Sequence, residues 1–290
     1  IKPDEIYNLA AQSDVRISFD QPIYTTQTIA IGTLNFLEAI RLTCQETKIY
    51  QASSSEMFGN NIDKDGYQRE TTPMSPVSPY GCAKVYAYNI CRNYRNSYNM
   101  FISNGILFNH ESPRRGTNFV TNKVVKEAVK IKLGLSETLL LGNLSSSRDW
   151  GHAKDYVEMQ WKMLQEDKPE DFVIATGRME TVRRFCELAS SNLGWGNGDK
   201  TSGIEWEGEG INEVGRRKDN GEIVIRIDER YYRPAEVEEL LGDPSKAKNK
   251  FGWEPKITLE EMIKEMIEND NLLAKNELKN KKAYRKLPIN

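Results

Sequence analysis

The chain has 290 residues and a mass of 33.2 kDa, enough for one large domain or two modest ones with a real core. Lys and Arg total 40 against 42 Asp and Glu, a net charge of −2, so no basic field attracts nucleic acid. With 38% hydrophobic and 9% aromatic residues in short, varied runs, collagen-like, coiled-coil and disordered compositions are excluded, and no run approaches the ~20 apolar residues of a membrane span.

The chain opens Ile1-Lys2-Pro3-Asp4, without Met or a signal core, and runs directly into a buried-strand sequence from Glu5 to Leu9. Natural domains usually begin with a few loose residues, so a segment upstream is expected. A helix follows near 25–46, where Ile31, Leu34, Leu37 and Ile40 recur at helical spacing. Lys48 to Ala52 reads as a second strand. After a polar loop holding Pro73, Pro76 and Pro79, a second helix carries Ala83, Ala87, Ile90 and Tyr94, and Met100 to Phe108 is a third strand. Strand–helix–strand–helix–strand with continuous apolar strands implies an α/β fold, a parallel sheet covered on both faces. Ligands of such sheets sit beyond the carboxyl ends of the strands, here Ala10–Ser13, Ser53–Glu56 and Asn109–Ser112.

Further on, helices are expected near 119–133, 153–166 and 181–193, and strands at Leu139–Leu141 and Asp171–Ala175. Gly194 to Gly221 reads as loop with one short strand, Ile204–Trp206. Two helices close the chain near 244–251 and 258–275, and the lysines from Lys275 to Lys286 read as a solvated helix end.

Tyr80-Gly81-Cys82-Ala83-Lys84 places a phenol and an ammonium on one helix face. A nearby cation favours phenolate, as a general base at neutral pH requires. Chance alone would supply such a pair roughly once in a chain of this composition. Ser78-Pro79 adds context, because it starts the helix and puts Tyr80 in the first turn at the binding edge. Ser54 and Glu56, leaving the second strand, either cap a turn or supply a hydroxyl beside Tyr80 and a second acid/base group. Arg114 and Arg115, Arg148, and Arg233 beside Tyr231 and Tyr232 suggest a nucleotide diphosphate site, since guanidinium is a planar multi-donor fork. His110 has no ligand partners at metal spacing and reads as a hydrogen-bonding residue. Cys44, Cys82, Cys91 and Cys186 form no CxxC pair and read as reduced thiols of a cytoplasmic protein. Gly194–Gly198 and Gly208–Gly210 give no GxGxxG, and Asp63–Gly66 has the wrong register for a calcium loop.

At these residues the chain resembles the GDP-mannose 4,6-dehydratases, extended short-chain dehydrogenases/reductases. The resemblance runs nearly end to end: Asn8 to Ser13, Gln51 to Gly59, Ser78 to Lys84, Asn104 to Gly116, Gly142 to Asp155, Pro169 to Gly177, Asn212 to Arg216 and Tyr231 to Glu236. It implies a Rossmann-like doubly wound sheet over 1–112 with its first strands missing. A smaller sugar-nucleotide-binding domain covers 113–290, with 147–176 returning to the sheet. The implied reaction converts GDP-mannose to GDP-4-keto-6-deoxymannose with NADP, for deoxysugar supply such as GDP-fucose. Tyr80 is the implied base at the C4 hydroxyl and Lys84 its partner at the nicotinamide ribose. Ser54, where relatives usually have Thr, would hold O4, and Glu56 would take the C5 proton and assist water loss from C6. Leu9, Ala10, Ala11, Gln12, Ser13, Tyr24, Lys84, His110 and Arg115 match cofactor positions, and Asn109, Arg148, Arg217, Arg233 and Glu236 are assigned to GDP-mannose. The family's opening strand and glycine-rich phosphate loop are not in these residues. Weak NADP binding, exposure of a sheet edge and self-association are therefore expected of this chain, and a homo-oligomer of the complete protein. Two other readings are a related sugar-nucleotide epimerase or reductase, which has no need of Glu56, and a truncated, non-catalytic chain that binds nucleotide or pairs with a complete subunit.

Overall fold

Two unbroken buried runs, Ile49 to Ser54 and Ile102 to Leu107, with Ile49, Tyr50, Ile102 and Ile106 among them, make strands covered on both faces. The computed structural model describes residues 1–284, with side chains through 279. In chain order the elements begin with β1 (Glu5–Asn8), α1 (Val15–Asp20), α2 (Pro22–Thr26), a π-helical turn (Gln27–Ile31), α3 (Gly32–Thr43) and β2 (Lys48–Ser54). A 3-10 turn (Ser55–Met57), α4 (Pro79–Tyr98), β3 (Ile102–Leu107), β4 (Asn109–Glu111), α5 (Val120–Lys132), β5 (Leu139–Leu141), β6 (Ser147–Arg148) and β7 (Trp150–His152) follow. The chain continues through α6 (Ala153–Leu164), β8 (Phe172–Ile174), β9 (Glu180–Thr181), α7 (Val182–Asn192), β10 (Ile204–Glu207), β11 (Val214–Arg217) and β12 (Ile223–Ile227). It ends in β13 (Glu239–Leu240), α8 (Ser245–Phe251) and α9 (Leu259–Tyr284). Lys286, at the end of the lysine-rich tail, lies outside the described residues.

Two compact units are formed. The first comprises residues 1–110, 146–180 and 233–257, and the second residues 111–145, 181–232 and the chain from 258. In the first unit β1, β2, β3 and β8 make one parallel sheet in the order β1-β2-β3-β8. Successive residues of β2 point to opposite faces, so Ile49 and Tyr50 enter different cores. Ile49 meets Leu37 and Ile40 of α3 and Cys91 and Tyr94 of α4. Tyr50 meets Tyr156, Met159 and Met163 of α6 and Trp253 after α8. Helices on both faces of a parallel sheet are the doubly wound arrangement.

In the second unit β10, β11 and β12 run antiparallel, and β12 pairs in parallel with β5. Helices α5, α7 and α9 pack on one another, burying Val125 and Val129, Phe185 and Leu188, and Ile263 and Met266. The stretch expected to be loop with one strand, 194–221, carries both β10 and β11. Val214–Arg217 has no hydrophobic alternation, and its place comes from backbone pairing with β10 and β12. The single helix expected near 25–46 is likewise interrupted by the π turn, and it ends at Thr43.

Candidate active site

The carboxyl end of β2 and the amino end of α4 build the centre of the first unit. Ser78 caps α4, its Oγ accepting from the Gly81 amide at 3.0 Å, and Pro79 occupies the first turn, where its missing N–H is harmless. Tyr80 is thereby fixed in that turn and is 8% exposed. One helical turn on, the Lys84 ammonium lies 5.7 Å from the Tyr80 ring centroid and donates to the Ala52 carbonyl of β2 at 2.8 Å. Lys84 is only 3% exposed, and burial pulls its pKa from 10.5 down to about 8. A less hydrated ammonium held near a phenol carries its field into the site with little water to screen it.

At the end of β2 the Ser54 hydroxyl accepts from the Glu56 amide at 3.2 Å, which starts the buried turn Ser55–Met57. Glu56 is 8% exposed, and its Oε2 has no hydrogen-bond partner. Oε1 lies 3.9 Å from Arg233 Nη1. Gly81 is what lets the two segments meet: a Cβ there would stand 2.8 Å from the Glu56 carbonyl oxygen and 2.9 Å from Pro76 Cβ. Tyr80 and Glu56 are therefore joined through a direct backbone approach.

Arg148 and Arg233 are held by one carboxylate. Glu236 Oε1 accepts from Arg148 Nη2 at 2.8 Å and from Arg233 Nη1 at 3.0 Å. Arg148 is 7% exposed; burial lowers its pKa, against the support of Glu56 and Glu236. The next residue, Asp149, accepts from the Thr176 amide at 2.9 Å, the Thr176 hydroxyl at 2.7 Å and the Gly177 amide at 2.9 Å. Burial raises its pKa to about 6 against the pull of these donors.

Of the residues matched to cofactor positions, Leu9, Ala10, Ser13 and Tyr24 are exposed and Ala11 and Gln12 half-buried. The Gln12 side chain is committed within the protein. Its amide donates to the Asp14 carbonyl and the Thr25 hydroxyl, and its oxygen accepts from the Asp14 amide at 2.6 Å. His110 stacks on Tyr156 with ring centroids 4.9 Å apart, and its Nδ1 is 2.9 Å from the Phe108 carbonyl. Asn109 keeps a buried Oδ1 without a partner. Arg115 and Arg217 belong to the second unit. Arg115 lies 3.1 Å from Glu111 and stacks on Phe119, while Arg217 pairs with Asp219 at 2.6 Å and lies over Trp195. That unit also contains a cavity of about 260 Å³, lined among others by Gly142, Ser145, Arg183, Glu213 and Tyr232.

Sequence reasoning missed Gly81, although a glycine between a candidate base and its lysine partner was the available signal. It also missed the pairing of Arg148 with Glu236, which no local spacing encodes. The dismissed Asp63–Gly66 loop is a guanidinium clamp, with Arg69 held by Asp63, Asp65 and Asp243. No group of side chains among the described residues is arranged to hold a metal ion, and no described helix is long and apolar enough to cross a membrane.

The GDP-mannose 4,6 dehydratase family model matches residues 1–266. A GDP-mannose 4,6-dehydratase of Yersinia enterocolitica is 54% identical over 287 residues, covering 95% of this chain and 75% of that protein. The Homo sapiens GDP-mannose 4,6 dehydratase is 52% identical over 273 residues, covering 93% and 71%. Among solved structures, RMD from Pseudomonas aeruginosa complexed with NADPH superposes with a TM-score of 0.76 at 20% identity, covering 93% of this chain and 82% of that one. UDP-glucose 4-epimerase from Thermotoga maritima with UDP-glucose gives 0.74 at 25% identity, covering 94% and 78%. These structures share the fold of the parallel sheet and its helices. On the family model and the sequence identity together, the chain belongs to the GDP-mannose 4,6-dehydratase family.

Proposed function

We propose that this chain dehydrates GDP-mannose to GDP-4-keto-6-deoxymannose with NADP, and that Ser54, Glu56, Tyr80 and Lys84 carry the chemistry. The observation that carries the reading is the close backbone approach of Gly81 to Glu56. It brings a phenol–ammonium pair and a buried carboxylate with a free oxygen to one strand end. The small, exposed end of β1 at Leu9, Ala10 and Ser13 and the orphaned Asn109 Oδ1 suit a polar cofactor. Leu9 to Ser13, Tyr24, Lys84 and His110 would hold NADP, Gln12 through its backbone because its side chain is committed. Arg115 is assigned to NADP on family grounds, and Arg217 to GDP-mannose. NADP supplies hydride acceptance at C4 and its return at C6.

The protein's own groups move the protons. Tyr80, with the Lys84 charge favouring phenolate, takes the proton of the C4 hydroxyl, and Ser54 steadies that oxygen. The carbonyl formed at C4 acidifies C5. Glu56 removes the C5 proton and gives one to the departing C6 hydroxyl, which leaves as water. When hydride returns to C6, C5 takes back a proton, the one Tyr80 holds from the C4 hydroxyl, so a second acid/base group is needed where simple C4 oxidation needs one. Asn109, Arg148, Arg233 and Glu236 bind the nucleotide-sugar, the guanidinium forks taking phosphate oxygens. The complete protein acts as a homo-oligomer, a reading in keeping with the exposed apolar side chains of Ile23, Ile31, Leu42 and Tyr86 on α2 through α4. It works in the cytoplasm, in keeping with the free thiols of its cysteines.

The test is Glu56→Gln beside Tyr80→Phe, assayed with GDP-mannose and NADP. Glu56→Gln is expected to retain absorbance change at 340 nm while deuterium uptake at C5 and loss of the C6 hydroxyl cease. Tyr80→Phe is expected to abolish all three. Dehydration persisting in either variant would overturn the assignment of that residue.

A further inference from the structure

From Thr25 to Leu37 of the segment that covers α4, the buried residues are Thr25, Ile29, Thr33 and Leu37, each four apart, with Ala30 beside Ile29; past the turn the ordinary spacing resumes with Ile40. A helix of 3.6 residues per turn overshoots by about 40° in each such step, or about 120° over three. An uninterrupted α-helix would turn Thr25 and Leu37 to different faces. The π turn removes the drift, since its wider loop takes up one extra residue. The Gly32 amide reaches back to the Gln27 carbonyl, and the Thr33 hydroxyl donates to the Ile29 carbonyl at 2.7 Å. The turn lies against α4, and Ile29 and Ala30 share one apolar cluster with Tyr80, Ala83 and Ala87. Ala11 and Val15 pack on the same cluster, and Thr25 takes the hydrogen bond of Gln12. Leu37 enters a different cluster, with Ile40, Ile49 and Tyr94, that does not contain Tyr80.

We infer that the π turn Gln27–Ile31 is a positioning device for Tyr80, with Ile29 and Ala30 as the residues that set the place of the phenol-bearing turn. The inference rests on the reading of Tyr80 as the base. Ile29 and Ala30 touch no reacting atom and act through the packing of α4. A point on the surface of α4 is met there by two adjacent side chains, Ile29 and Ala30. The device also ties Tyr80 to the strand-end loop, because Gln12 bonds Thr25 just before the turn and Ala11 packs on the cluster of Ile29 and Ala30 within it.

The test compares Ile29→Ala with Leu37→Ala, two truncations at sites 1% exposed, in the full chain with GDP-mannose and NADP. Both lower Tm. Ile29→Ala is expected to lower kcat about tenfold with KM within about twofold, since sub-ångström misplacement of a catalytic group acts on rate. It should also raise the isotope effect for substrate deuterated at C4, because C4 oxidation becomes limiting. Leu37→Ala keeps kcat and the isotope effect of the wild type, and Ile29→Leu restores both. Deleting the exposed Ile31, which returns the segment to α-helical register, reproduces the Ile29→Ala kinetics if the deletion folds. Equal kinetic losses in Ile29→Ala and Leu37→Ala, or wild-type kinetics in Ile29→Ala, would overturn the inference. Tyr80→Phe separates the two failures. If it remains active, the reading of Tyr80 falls, whereas an inactive Tyr80→Phe with indistinguishable truncations removes only the positioning role.

Discussion

Replacing Gly81 by Ala tests whether the backbone approach of α4 to Glu56 sets the rate. Position 81 is helical, so Ala stabilises the backbone there by up to about 1 kcal/mol. Against this, the new Cβ would lie 2.8 Å from the Glu56 carbonyl oxygen, 2.9 Å from Pro76 Cβ and 3.3 Å from Ser78 Oγ. None of the three can swing aside. The first is backbone of a turn pinned by Ser54, the second belongs to a ring in a proline-rich loop, and the third caps α4. Overpacking of this kind costs about 1–3 kcal/mol, leaving a net destabilisation of about 0–2 kcal/mol and only a small drop in Tm. The rate is more sensitive. Relief to an ordinary contact of 3.4 Å requires a shift of roughly half an ångström between the Tyr80 turn and Glu56. If 1 Å costs about a hundredfold, this shift costs about tenfold in kcat. Steady-state turnover of GDP-mannose and a thermal melt on the same preparation decide the matter. A Gly81→Ala protein with wild-type kcat, or one whose kcat falls only as far as its folded fraction, would refute the reasoning.

Lys84→Met should stabilise the protein while abolishing activity. Its buried ammonium, depressed from 10.5 to about 8, costs about 3 kcal/mol at neutral pH, and losing the bond to Ala52 returns about 1 of these. Because the unfolded chain binds the extra proton, wild-type stability rises with pH between about 8 and 10.5, and denaturation in urea should show that slope vanish in the variant. Asp149→Asn is expected to cost about 2–3 kcal/mol, since the amide offers one acceptor to three converging donors and sets an NH2 against the rest. The folded pKa of Asp149 lies above its unfolded value, so its contribution is largest at low pH and declines from 3.8 through about 6; the variant's stability curve should be flatter there. Glu236→Gln uncovers two guanidiniums, one of them buried, and should cost about 3 kcal/mol in a chemical melt; Arg148→Gln in the same chain should recover part of the loss in a double-mutant cycle.

The parallel sheet and its strand ends were legible because short apolar segments alternate with helical patterns and the strands run out into stretches rich in small and polar residues, as at Ser53–Glu56. The same local chemistry exposed Ser78-Pro79 as a helix start, and with it the turn that holds Tyr80. What sequence periodicity misjudged is the segment beneath that turn. Ile31, Leu34, Leu37 and Ile40 have helical spacing, yet Ile31 is 43% exposed, while the buried series runs through Ile29 and Thr33. Hydrophobicity alone favoured Ile31 over Thr33, because a threonine whose hydroxyl bonds a carbonyl within its own helix can be buried without an unmet donor. Four-residue steps were the trace of the π turn, and they are visible only once polar residues are admitted to the core. The pairing of Glu236 with Arg148 was illegible for a different reason. It joins residues 88 positions apart, and a salt bridge across that separation leaves no local pattern. Arg148 and Arg233, read as open anion receptors, are instead bound to Glu236, so on the proposed reading a diphosphate would have to compete with Glu236 for both forks. Affinity for the nucleotide-sugar then measures the difference between two sets of charged hydrogen bonds, which is smaller than either set alone.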